Sequence, residues 1–114
     1  MSINYHLKKF QVENNSEAGE LEAGLIFDYR QEGQILTCAY NGGNILQGHI
    51  LGEVDSETGV LDFVYHQINT KGELCSGKCH SRPELLPSGK IRLHETWEWT
   101  SGKKGEGTST LIEL

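Results

Sequence analysis

Along residues 91–100 apolar and polar side chains alternate one by one. Ile91, Leu93, Trp97 and Trp99 fall on one face, with Arg92, His94, Thr96, Glu98 and Thr100 on the other. A two-residue period is that of a half-buried β-strand. Glu95 is the exception, a carboxylate on the apolar face. Residues 60–68 carry bulk on both faces, Leu61, Phe63 and Tyr65 opposite Val60, Val64 and Ile68, which predicts a strand flanked by neighbours. Similar strand chemistry recurs near 6–12, 21–30, 34–40, 45–54, 60–69, 73–82, 90–100 and 107–113. Clusters of turn formers separate these runs: Asn14-Asn15, Gln31-Glu32-Gly33, residues 41–44, residues 55–59, Thr70-Lys71-Gly72, Pro87-Ser88-Gly89 and residues 101–105. The one competing helical stretch, 15–23, is weakened by Gly19 and a polar surround.

Connections this short make consecutive strands antiparallel, since a parallel crossover needs a dozen or more residues. The expected fold is therefore all-β, one domain over 1–114: an antiparallel up-and-down meander of about eight strands. Closure would remove exposed sheet edges and bury one face, so the meander is expected to curl into a small barrel of the lipocalin or streptavidin kind. Gly48, Gly52 and Gly77 lie inside strands, where glycine often marks a bend or bulge.

Composition narrows the function. Ten Lys and Arg against sixteen Asp and Glu give a net charge of −6, which argues against a nucleic-acid or anionic-membrane partner. The charge is uneven: residues 1–57 hold three basic and nine acidic side chains, residues 58–114 seven of each. The second half could thus still receive an anion. No apolar run reaches the length of a membrane span, and the first residues lack a signal-peptide core, so a cytoplasmic location is expected. The odd set of Cys38, Cys75 and Cys79 fits a reducing compartment.

The densest polar cluster is Lys78, Cys79 and His80 on one strand with Arg92, His94, Glu95 and Glu98 on the next. Depending on hairpin register, His80 faces Arg92 or moves toward the tryptophans. Two readings stay open: a polar patch that orients an acidic ligand through Arg92, His94 and His80, or cross-strand charge pairing on a solvated wall. Trp97 and Trp99, with Tyr65 and Tyr40, would line a ligand cavity or simply form core. Burial energetics favours the tryptophans inside, unless a second copy covers them as a homodimer. Glu95, the odd member of that face, is the first candidate for a functional residue because a buried carboxyl needs a partner or stays protonated.

Cys75 and Cys79 stand ~13 Å apart on a strand, too far to share a metal or a disulfide. No metal and no cofactor is expected. A nucleophile built on Cys79, His94 and Glu95 is opposed by alternation, which points the latter two to opposite faces. Arg30-Gln31-Glu32-Gly33-Gln34-Ile35 partly matches the phosphate loop of acetyl-CoA-dependent N-acetyltransferases, but Ile35 departs from the pattern and a hairpin replaces the expected helix.

The segments Gly77-Lys78-Cys79-His80-Ser81, Pro83-Glu84, Leu86-Pro87, Gly89, and Ile91 to Trp97 with Trp99 resemble a family of short bacterial proteins without established function. Some members are labelled N-acetylglutamate synthase. That resemblance implies acetyl transfer to glutamate. The residues themselves favour binding of a small polar or weakly acidic ligand without turnover, at a site drawn from Glu95, Trp97, Trp99, Tyr65, Arg92, His94 and His80. The alternatives are the acetyltransferase and a structural protein with a solid core.

Overall fold

A computed structural model of the chain describes residues 3–15, 19 and 21–114. Nine strands follow one another: β1 (Lys9–Asn15), β2 (Ile26–Asp28), β3 (Arg30–Glu32), β4 (Ile35–Gly42), β5 (Ile45–Val54), β6 (Leu61–Asn69), β7 (Leu74–Leu85), β8 (Ile91–Ser101) and β9 (Glu106–Glu113). All neighbours are antiparallel, in the sheet order β2-β1-β9-β8-β7-β6-β5-β4-β3. From β4 to β9 the chain is the expected meander.

The second expected strand, 21–30, is corrected. It is shorter, later and split at Tyr29. Residues 26–28 pair with β1 and residues 30–32 with β4, so this interrupted strand joins the two ends of the sheet into a nearly closed barrel. The break has a local cause. Tyr29 is fully buried, its N–H donates to the Lys8 carbonyl, and its own carbonyl accepts from the Leu7 N–H, both at 2.9 Å. Tyr29 is thereby tied to the segment before β1, while the next residues swing to β4. The turn expected at Asn14-Asn15 is instead the end of β1, where a bulge between Val12 and Asn14 shifts the register against β9. Of the stretch weighed as helical, Asn15 is in β1 and residues 21–23 are not helical; residues 16–18 and 20 lie outside the described residues. No helix among the described residues is long and apolar enough to cross a membrane.

Alternation places the core. In β4 the burial runs exposed-buried through Leu36, Cys38 and Tyr40, and in β8 every odd residue from Ile91 to Trp99 is buried. The N-terminal segment plugs one end of the barrel. Tyr5 is fully buried there, packs on Phe10 and Tyr29 at ring separations of 6.0 and 6.2 Å, and donates its hydroxyl to the Gly59 carbonyl at 2.5 Å. Gly77 stands at a register shift in β7, as a bulge would require, and two of the strand glycines also make room for rings. A methyl at Gly48 would overlap the Tyr40 ring, and one at Gly77, beside the β7 bulge, would overlap the Tyr65 hydroxyl.

Candidate functional site

Glu95 points into the barrel at mid-height of β8. Its register partners are Ser81 on β7 and Ser109 on β9, both small and buried, so the flanking strands leave room for the carboxyl. The Ser109 hydroxyl donates to Glu95 Oε1 at 3.0 Å. Glu95 Oε2, Tyr29 Oη and Ser81 Oγ are enclosed without a well-formed hydrogen bond to any described residue. Burial pushes the Glu95 pKa up to about 7, against smaller opposing effects of Ser109, Ser81 and Cys79. Burial likewise raises the Tyr29 hydroxyl, with the nearby Glu95 charge adding to it.

A cavity of about 40 Å³ opens beside this carboxyl. Its walls are aromatic. Trp97 and Trp99 lie 5.8 Å apart, edge to face, and Tyr65 meets Trp99 at 5.5 Å and 70°. Opposite, Phe27 packs on Tyr40 at 4.8 Å, and the Tyr40 hydroxyl donates to Gln67 Oε1 at 2.6 Å. Asn15, Gly19 and Leu21 border the cavity at the end away from the Tyr5 plug. Its volume suffices for a few waters or a very small molecule; a cavity that accepts benzene is nearer ~150 Å³.

Of the sequence-derived site residues, Glu95, Trp97, Trp99 and Tyr65 all line this cavity. The tryptophans are covered by the barrel itself, so no second copy is needed to shield them. Arg92, His94 and His80 stand on the opposite, outer face. Arg92 reaches across β9 to Glu13, Nε to Oε1 at 2.9 Å, and lies 3.8 Å from Glu84. His94 Nε2 meets Glu84 at 2.8 Å, and His80 Nδ1 meets Asp62 at 2.6 Å. The tight 86–90 turn sets the register that the sequence left open, with His80 opposite Thr96, Cys79 opposite Trp97 and Lys78 opposite Glu98. These outer residues form the charge-pairing wall that was the competing reading, Lys78 and Glu98 included at 3.0 Å.

Sequence reasoning missed Tyr29, Ser81, Ser109, Gln67 and Phe27 as cavity residues. The two serines become visible only once register is known, since each is the direct cross-strand partner of Glu95. Cys79 also lines the cavity, but burial raises its thiol pKa well above the ordinary value, and His94 is on the other face of the sheet. The raised pKa disfavours a thiolate, and His94, the base that a Cys79 nucleophile would use, is out of reach. Residues 30–35 form β3, a Gly33-Gln34 turn and the start of β4, so no helix N-terminus follows to receive a pyrophosphate. Among the described residues no three His, Cys, Asp or Glu side chains are grouped to hold a metal ion.

The family described as avidin-like protein matches residues 3–114, and the chain belongs to it. This is a family of small β-barrels that bind small molecules without turnover, which supports binding over acetyl transfer. Its members often form oligomers. No curated protein and no solved structure matches the chain significantly.

Proposed function

We propose that the barrel interior holds one small polar ligand at Glu95, between the Trp97, Trp99 and Tyr65 rings, and releases it unchanged. One observation carries this reading. Among the described residues, Glu95 Oε2 and Tyr29 Oη are enclosed with no well-formed hydrogen bond, and both residues line a cavity that is otherwise mostly apolar. Buried polar groups are ordinarily satisfied, and those that are not call for a water or a ligand. An apolar pocket with a few convergent polar groups is the usual form of a small-molecule site.

Arg92, His94 and His80 take no part in this interior site; their ion pairs support the role of an outer wall. The odd set of three cysteines supports a cytoplasmic setting, and the oligomers common in the family support a homodimer, which sedimentation velocity would read. The small cavity favours a second reading, a structural barrel whose interior holds only water.

A thermal-shift screen of small polar compounds, followed by tryptophan fluorescence titration, separates the two. A saturable shift that disappears in Glu95→Leu, with the variant shown to be folded, supports the interior site. No shift with any compound, together with solvent exchange of cavity waters alone, supports the solid barrel.

A further inference from the structure

The described lining of the cavity contains one ionisable acid in the carboxylate range, Glu95, and no Lys, Arg or His. The acid is nearly inaccessible, and among the described residues Oε2 has no well-formed hydrogen bond, with only the neutral Ser81 hydroxyl and Cys79 thiol close to the carboxyl. Basic groups of β8 point outward: Arg92 is held by Glu13 and Glu84, and His94 by Glu84. Among the described residues the lining thus holds a potential negative charge with no counter-charge, in a cavity shared with several aromatic rings. Aromatic faces attract cations through their quadrupole, most strongly when water is excluded.

From this arrangement we infer that the ligand is a small organic cation of the ammonium, amidinium or guanidinium class, bound by an N–H to Glu95 Oε2 with its charge against the Trp97, Trp99 and Tyr65 rings. The inference rests on the interior-site reading and sharpens it. A neutral donor of the same shape gains the hydrogen bond alone. A cation also supplies the counter-charge that the buried carboxylate lacks, in a surrounding of low dielectric where that attraction is strong. A fully ionised anion would meet Glu95 with no cation among the lining residues. The space of about 40 Å³ selects for few heavy atoms.

Methylguanidinium and N-methylurea test this directly, because they share a skeleton and differ by charge and one heteroatom. Each is titrated into the wild-type protein and into Glu95→Gln and Glu95→Asp, followed by tryptophan fluorescence and calorimetry, with thermal melts to show that each variant is folded. The expected result is that methylguanidinium binds at least about tenfold tighter than N-methylurea to wild type. Glu95→Gln should erase that preference, and Glu95→Asp should keep it because the charge remains. Equal binding of both compounds that ignores Glu95→Gln overturns the cation assignment while leaving the cavity a binding site. Binding of neither compound also overturns it, and the broader polar screen then decides the interior-site reading by itself.

Discussion

The Ser109 hydroxyl donates to Glu95 Oε1 at 3.0 Å across the β8–β9 pair, while Oε2 of the same carboxyl is enclosed without a well-formed hydrogen bond among the described residues. Half of the carboxyl is satisfied by the fold and half faces the cavity. A group in that position is costly to ionise, and the cost sets how the protein should respond to pH.

The Glu95 pKa is raised by burial from 4.5 to about 7 in the folded chain. Between those values the folded protein keeps a proton that the unfolded chain has lost, so unfolding releases protons. Stability should therefore be highest, as far as Glu95 is concerned, below about pH 4.5, fall as pH rises through 7, and level off above it. The loss is roughly 3 kcal/mol over that window at ~1.36 kcal/mol per pH unit. Glu95→Gln should flatten this slope and raise stability at pH 8. Denaturant unfolding at pH 5 and pH 8 measures it, and a slope unchanged in Glu95→Gln would assign the pH dependence to other groups.

Gly48→Ala and Gly77→Ala should each destabilise by about 1–3 kcal/mol, because the added methyl meets the Tyr40 ring in one case and the Tyr65 hydroxyl with the Glu98 backbone in the other. Gly72 is the contrast. It has φ +77° and open space around it, so Gly72→Ala carries only the conformational penalty, about 1 kcal/mol. Gly77→Ala should also alter tryptophan emission, since Tyr65 packs on Trp99. Equal losses at all three positions, with emission unchanged, would show that ring crowding is not what fixes Gly48 and Gly77.

The N-terminal plug should be a strong contributor to stability. Tyr5→Phe removes the hydroxyl bond to the Gly59 carbonyl and should cost about 1 kcal/mol. Tyr5→Ala also empties the space against Phe10 and Tyr29 and should cost about 3–5 kcal/mol. Equilibrium unfolding of the two variants gives both numbers, and similar losses in both would place the whole effect in the hydroxyl.

Arg92→Ala and His80→Ala should leave ligand affinity unchanged in the same titrations that Glu95→Gln alters, because both side chains lie on the outer wall in exposed pairs with Glu13, Glu84 and Asp62. A tenfold loss in either variant would move the site from the interior to the wall.

Much of this architecture is legible in the sequence. Alternation along 91–100 fixes which side chains of β8 share a face, and it isolates Glu95 among Ile91, Leu93, Trp97 and Trp99. The glycine and asparagine clusters mark the hairpins from β4 to β9, and their shortness forces antiparallel neighbours. Both signals are local, written in side-chain period and backbone tolerance, so they survive without knowledge of the fold. Other features are not local. Tyr29 breaks its strand because its backbone bonds to Leu7 and Lys8, more than twenty residues away, and that break closes the barrel. The seating of Glu95 between Ser81 and Ser109 depends on two strand registers at once. Slipping either by one residue turns the opposing side chains to the other face. The pattern of the chain determined that a lone carboxyl would share a face with tryptophans; tertiary pairing decided that this face is enclosed, that Arg92, His94 and His80 lie outside it, and that one carboxyl oxygen is left without a well-formed hydrogen bond among the described residues.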